Sequence, residues 1–278
     1  MRGKTVVITG ATSGIGAIAA RHLAELGARI VIVARDGQRA EETLRDLRAA
    51  GSGQAHTAFL ADLSCLHEMR RVGAEIAAAE PRIDVLMNNA GLISSGKRKT
   101  EDGLGLMFAT NHLSYFVLTA LLLEPLRAAG GARIVSTASE AHRRGKLDFE
   151  HLQDQTGWTG YGTSKLCNIL FTRELARRLE GTGVTANCLH PGFVATRFGD
   201  SAGGAIRAGL TIAKRLFALS PEEGAKTMVY LASSPQVAGQ SGGYYDRCAP
   251  ATPSREARRD HDARRLWELS AAIARVGE

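Results

Sequence analysis

TVVITGATSGIG, residues 5–16, is the stretch on which the fold is decided. Its first five residues, Thr5–Thr9, are an apolar, β-branched run of strand length. Gly10, Gly14 and Gly16 follow in the spacing G-x-x-x-G-x-G, and a helical pattern continues to about Leu26, closed by Gly27. Glycine lets the chain turn tightly and lets a pyrophosphate approach without a Cβ in the way. A helix that begins there points free N–H groups and its positive dipole end at the anion. A glycine-rich turn alone is a weak signal, but between a first strand and a first helix it is a strong one. Gly10, Thr12, Ser13, Gly14, Ile15 and Gly16 are therefore a candidate dinucleotide cradle.

The same alternation extends outward. Arg29–Ala34 is a second apolar run, followed by a polar helix to about Ala50. Residues 55–60 are a weaker strand before a helix over 65–80, which Pro81 stops. Residues 85–88, 133–136 and 184–189 are further strands, with long helices near 102–123 and 159–180. The strands are continuous apolar runs, as a parallel sheet covered on both faces requires. The expected fold is α/β, a doubly wound parallel Rossmann-type sheet of about seven strands in one domain over residues 1–278. Ser220-Pro221-Glu222-Glu223 reads as a capping box opening a late helix.

Composition agrees. With 278 residues, 44% hydrophobic and 23% charged, the chain can bury a core without disulfides or metals. Four scattered cysteines without a CxxC fit a reducing compartment, and the expected location is cytoplasmic. No apolar run reaches membrane-spanning length, so no transmembrane anchor is expected. The net charge of +7 is dispersed. Lys97-Arg98-Lys99 and Arg143-Arg144-Lys146 read as solvated loops, with attraction of an anionic cofactor as the alternative and no nucleic-acid partner expected.

The second strand ends Ala34-Arg35-Asp36. A carboxylate at that end would accept from the ribose 2′-OH of NAD, whereas an arginine pairs with a 2′-phosphate. Ala34 followed by Arg35 favours NADP(H), and Asp36 is the complication. Further on, Tyr161 and Lys165 stand at i and i+4, on one helix face. A phenol with pKa about 10 needs neighbouring positive charge to work as an acid/base at neutral pH.

In order along the chain, TGATSGIG, Asn88-Asn89-Ala90-Gly91, Asn111, Ser139, Tyr161-x-x-x-Lys165 and Pro191-Gly192 resemble the short-chain dehydrogenases/reductases, over roughly residues 4–270. Thr110-Asn111-His112-Leu113, Leu189-His190-Pro191-Gly192 and Arg265-Leu266-Trp267-Glu268 are similar to the retinol dehydrogenase-like and WW-domain-oxidoreductase-like branch. The resemblance implies Tyr161 as general acid/base, Ser139 as holder of the substrate oxygen, Lys165 as tuner of the phenol and binder of the nicotinamide ribose, and Asn111 as holder of a relay water. Asp62 and Leu63 would flank adenine. Asn89, Ala90 and Gly91 would line the cleft, Pro191, Gly192 and Val194 would also contact the cofactor, and Thr196 its carboxamide. Ser136 is the competing serine in Ser136-Thr137-Ala138-Ser139.

The expected activity is NADP(H)-dependent interconversion of an alcohol and a carbonyl on a lipophilic small molecule: a retinoid, steroid, polyketide or long-chain aldehyde. A non-catalytic NADP-binding sensor on the same fold is the alternative. An epimerase or dehydratase of the extended family would use a differently spaced glycine loop. No metal is expected, since His112, His142, His151 and His190 lack ligand spacing. Leu166, Ile169, Leu170, Phe171, Leu175 and Leu179 spread over more than one helix face, which suggests a homodimer or homotetramer. Residues 192–220 are a candidate substrate lid, in which 206–217 fit a lid and a core-facing helix equally, and 254–278 a C-terminal helical tail.

Overall fold

The computed structural model describes residues 1–50, 53–192 and 220–276. Among them, eight strands make one sheet in the order β3-β2-β1-β4-β5-β6-β7-β8. The strands are β1 Thr5–Thr9, β2 Arg29–Ala34, β3 Thr57–Leu60, β4 Val85–Asn88, β5 Arg133–Thr137, β6 Thr185–His190, β7 Tyr244–Asp246 and β8 Ala249–Pro250. All neighbours pair in parallel except β7 with β8. The eighth strand exceeds the expected seven. It is two residues long and returns through Arg247 and Cys248, both at positive φ (48° and 61°). A strand that short carries no periodicity to read.

Alternation along the inner strands divides the core into two faces. Val6, Ile8, Ile30 and Ile32 pack with helices α1 (Gly14–Glu25), α2 (Gly37–Ala49) and the late helix Pro221–Ser233. Val7, Val31 and Val33 join the other face, with α3 (Leu66–Ala79) and the helices from residue 106 to 178. The two faces explain the continuous apolar runs.

The helix expected over 102–123 is broken. It comprises α4 (Leu106–Phe108), a π turn at Ala109–Leu113 and α5 (Ser114–Leu121), before the short α6 (Leu123–Arg127). The cause is a side chain entering the helical ladder: Asn168 Nδ2 donates to the Asn111 carbonyl at 2.9 Å. π turns of this kind commonly mark functional positions.

Helix α7 (Gly157–Arg178) carries several of the buried polar groups discussed below, Lys165, Ser164 and Asn168 among them. Its outward apolar residues are covered by the same chain. Trp267, on the C-terminal helix Asp260–Ala274 (α9), stacks on Phe171 with ring centroids 5.9 Å apart and meets Phe116 edge-on at 4.8 Å. Leu166, Ile169, Leu170 and Phe171 are buried within one chain. The breadth of that helix's apolar surface thus has an intramolecular cause, and it no longer argues for a second subunit.

Two helices carry side-chain caps, the unexpected one at Asp36 and the expected one at Ser220. Asp36 caps α2, accepting from Arg39 N at 3.0 Å. Ser220 caps α8 (Pro221–Ser233), accepting from Glu223 N at 3.2 Å, while the Glu223 carboxylate pairs with Lys226, so half of the expected box forms. Among the described residues no helix is long and apolar enough to cross a membrane. The four cysteines are unpaired. The candidate lid lies outside the described residues, apart from its ends at Gly192 and Ser220.

Candidate active site

The sheet order reverses between β1 and β4, so the loops that leave those strands lie side by side. Thr9 Oγ1 accepts from the backbone N–H of Asn89 (2.9 Å) and Ala90 (3.0 Å). Asn89 Nδ2 donates to the carbonyls of Thr9 (3.0 Å) and Gly10 (3.1 Å). A Cβ on Gly10 would stand 2.9 Å from Ala90 Cα, and one on Gly16 only 2.4 Å from the Gly10 carbonyl and 2.5 Å from Asn89 Nδ2. Two of the three glycines are therefore demanded by packing of loop on loop. The third, Gly14, sits at φ +58°. Ser13, the N-cap of α1, is extended and spends no side-chain bond on the helix, and the first turn has no acidic residue. This N-terminus can take an anion.

Next to it, the Asp36 carboxylate is committed to capping α2, which removes it as a ribose acceptor at Oδ1. Arg35 is exposed. Arg39, which the sequence reading missed, reaches back so that Nη2 donates to the Thr12 carbonyl at 3.1 Å. Its signal was the four-residue spacing from Arg35. After β3, Asp62 Oδ1 accepts from Ser64 N (2.9 Å) and Ser64 Oγ (2.8 Å), and Leu63 is buried.

The polar groups of α7 meet the ends of β4 and β5. Lys165 is buried, and its Nζ donates to the Thr137 carbonyl at 2.8 Å. That nitrogen lies 5.7 Å from the ring centroids of both Tyr115 and Tyr161. Asn111 Oδ1 accepts from Leu92 N (2.8 Å), and its Nδ2 donates to the Leu92 carbonyl (2.9 Å) and Ser164 Oγ (3.0 Å). The π turn is thereby tied to the loop after β4 and to α7. Gly91 sits against this group: a Cβ there would meet Asn111 Oδ1 at 3.3 Å and Lys165 Nζ at 3.6 Å.

Ser139 follows β5 and caps the 3-10 turn Glu140–Arg144, accepting from Ala141 N at 3.2 Å. It is also the hydrogen-bond partner of the Tyr161 phenol. Ser136 lies inside β5, paired with Asn88 and Cys188 and fully buried, with no partner for its oxygen among the described residues. The serine beside Tyr161 is Ser139. Burial pushes the Tyr161 phenol up to about 12, with the Ser139 bond opposing it. Burial likewise brings Lys165 down to about 7.

An apolar wall adjoins these groups, formed by Ile93 and Met107 with Leu92, Ala141 and Trp158 packed on Tyr161. Trp158 meets the Tyr161 ring edge-on at 6.1 Å. This wall was not read from the sequence, because Leu92, Met107 and Trp158 come from three separate segments. Pro191 and Gly192 (φ +81°) end β6; Val194 and Thr196 lie outside the described residues. His151 is at the surface with Asp148, while His112, His142 and His190 are wholly or largely buried. Among the described residues, no three His, Cys, Asp or Glu side chains cluster as a metal site would need. Of the basic clusters, Lys99 pairs with Asp154 at 2.8 Å and Arg143 with Glu140.

The family model of the short chain dehydrogenases matches residues 4–205. Mouse (Mus musculus) retinol dehydrogenase 14 is 43% identical over 99% of this chain and 87% of its own. Among solved structures, an uncharacterized protein of Mycobacterium paratuberculosis superposes with a TM-score of 0.79 at 31% identity, covering 99% of this chain and 94% of that one. The L-sorbose reductase of Gluconobacter frateurii, complexed with NADPH and L-sorbose, gives 0.70 at 26% identity, covering 88% and 95%.

Proposed function

The chain belongs to the short-chain dehydrogenase family, in its retinol dehydrogenase-like branch, and we propose that it reduces a lipophilic aldehyde or ketone with NADPH, and catalyses the reverse oxidation. Oxidoreduction at CH–OH groups is the family's chemistry; cofactor choice, substrate class and residue roles are our reading. The observation that carries it is the convergence of Ser139, Tyr161, Lys165 and Asn111 beside the paired loops after β1 and β4.

The residues present fit a dinucleotide. The open N-terminus of α1 would hold the pyrophosphate, and exposed Arg35 together with Arg39, which reaches Thr12, the 2′-phosphate. Asp62 and Leu63 would flank adenine, and Asn89, Ala90 and Gly91 would line the cleft. Tyr161 and Lys165 would bind the nicotinamide ribose, with Pro191, Gly192, Val194 and Thr196 at the carboxamide. The nicotinamide, when bound, supplies or accepts the hydride.

Ser139 Oγ holds the substrate oxygen near the phenol. Tyr161 gives that oxygen a proton in reduction. A phenol held near 12 stays protonated at neutral pH, which is the form reduction consumes. Lys165, poised near 7, can pass protons between the buried site and solvent at working pH. Asn111 fixes the loop at Leu92 and the turn of α7 at Ser164, so the groups keep their spacing.

The wall of Leu92, Ile93, Met107 and Trp158 supports an apolar substrate, as does the likeness to a retinol dehydrogenase. NADPH consumption across aldehydes and ketones, with retinal at one end of the polarity range and sorbose at the other, tests the proposal. Turnover of the apolar members that disappears in Tyr161→Phe supports it. Turnover retained by Tyr161→Phe, or confined to sugars, overturns it.

A further inference from the structure

Behind Ser139 lies a group that the reaction as described leaves unused. His142 is almost fully buried, in the 3-10 turn Glu140–Arg144 that follows β5. Its Nδ1 lies 2.7 Å from the Ser139 carbonyl, and its Nε2 accepts from the backbone N–H of Ser254 at 3.0 Å. A carbonyl can only accept and a backbone N–H can only donate. The partners therefore assign the proton to Nδ1 and leave Nε2 bare, which makes the ring neutral with both nitrogens satisfied. Tyr244 packs edge-on against the ring at 5.3 Å.

A second histidine supports the same turn. His190 Nδ1 accepts from Glu140 N at 3.1 Å, and Tyr244 Oη donates to Glu140 Oε2 at 3.1 Å. The C-terminal segment that provides Ser254 also reaches the π turn, where Ser270 Oγ lies 2.9 Å from Nε2 of buried His112, the neighbour of Asn111. Both polar turns of the site are thus braced by residues 254–274.

We infer that His142 is a positioning residue: it fastens the Ser139 turn to the C-terminal segment so that Ser139 Oγ is held against Tyr161. This rests on the reading of Ser139 as the group that holds the substrate oxygen. The hydroxyl is aimed by its own backbone, and that backbone is held at the Ser139 carbonyl by the ring as well as by the His142 backbone N–H, which donates to the same oxygen at 3.0 Å. The ring is in turn fixed by Ser254. A displacement of about 1 Å in such a group is enough to cost roughly a hundredfold in rate.

Two substitutions separate positioning from plain structural support. In His142→Asn the side-chain amide takes the place of Nδ1 and can still donate to the Ser139 carbonyl, while the Ser254 link is lost. In His142→Gln the amide oxygen takes the place of Nε2 and can still accept from Ser254, while the Ser139 link is lost. Each loses one buried hydrogen bond, so their melting temperatures should fall by similar amounts. Their rates should not. We expect kcat to fall about 10- to 100-fold in His142→Gln and to stay within about threefold of the unmutated protein in His142→Asn, with KM moving less than about threefold in both. Equal losses of kcat in the two variants, or no loss in either, overturn the inference. Correlation of ring protons with ring nitrogens by NMR at neutral pH gives a readout free of activity. A proton on Nε2 of His142 in a protein that turns over carbonyls overturns the positioning role alone. If the unmutated protein turns over no carbonyl at all, the reaction itself falls, and this role with it.

Discussion

Replacing Lys165 by methionine should make the protein more stable and inactive. Lys165 is 2% exposed, and among the described residues no carboxylate pairs with it. Burial takes its ammonium from an ordinary 10.5 to about 7, which corresponds to about 5 kcal/mol of penalty on the charged form. The unfolded chain keeps its proton up to about pH 10.5, and the folded one releases it near 7. Between those values the unfolded state binds more protons, so native stability rises with pH across the window. Below it the whole penalty is present. Methionine fills the space of the lysine stem up to Cε without the charge. The Thr137 carbonyl that loses Nζ keeps Asn168 Nδ2 at 3.1 Å. Allowing for the lost hydrogen bond and the contacts with the rings of Tyr115 and Tyr161, the net gain at pH 6 is roughly 2–4 kcal/mol. In a chain of this size that is about 4–8 °C in Tm. Thermal melts of both proteins at pH 6 and pH 9.5 check it: the gap should be wide at pH 6 and mostly closed at pH 9.5. A gap of equal size at both pH values, or a less stable variant at pH 6, would refute the reasoning. A stabilised but inactive variant would identify Lys165 as a residue kept for its chemistry at a cost in stability.

The other expectations concern the cofactor and the serine. Arg35→Ala and Arg39→Ala should each weaken NADPH binding about tenfold or more and leave NADH binding within about twofold, measured by fluorescence titration, because charge-assisted bonds to a phosphate are worth about 1.5–3 kcal/mol. Gly16→Ala should abolish NADPH binding and lower the Tm, since its Cβ would lie 2.4 Å from the Gly10 carbonyl; a variant that binds normally would show that the loops after β1 and β4 can separate at little cost. Ser139→Ala should lower kcat by about 10²–10³-fold, as loss of an oxyanion-type donor does, while Ser136→Ala should leave it within about threefold.

Much of this arrangement is written in short stretches of sequence. β1, β2 and β4 fall on the residues read from their apolar runs, because each is buried on both faces. β3 starts two residues later than its pattern, at Thr57, where it pairs with Val31 of β2. What was not legible depends on contacts between distant segments. The π turn around Asn111 is tied to Asn168, 57 positions away. Asp36 looked like a rival for the ribose until its carboxylate was found on the Arg39 N–H. The breadth of apolar surface on α7 suggested a second subunit, and Trp267 and its neighbours on α9 cover it within the chain. The resemblance already put Ser139 ahead of Ser136, and strand register places the latter inside β5. Local pattern gave the residues of the site their positions along the chain; hydrogen bonds across the fold assign their partners.

Deuterium transfer is the most direct measure of the central claim. The protein would be mixed with an apolar aldehyde and NADPH carrying deuterium at the transferable position of the ring, and the alcohol product weighed by mass spectrometry. The account predicts one deuterium on the carbinol carbon with the unmutated protein, and none above background with Tyr161→Phe. Tight NADPH binding with no labelled alcohol from any carbonyl across the polarity range would contradict it.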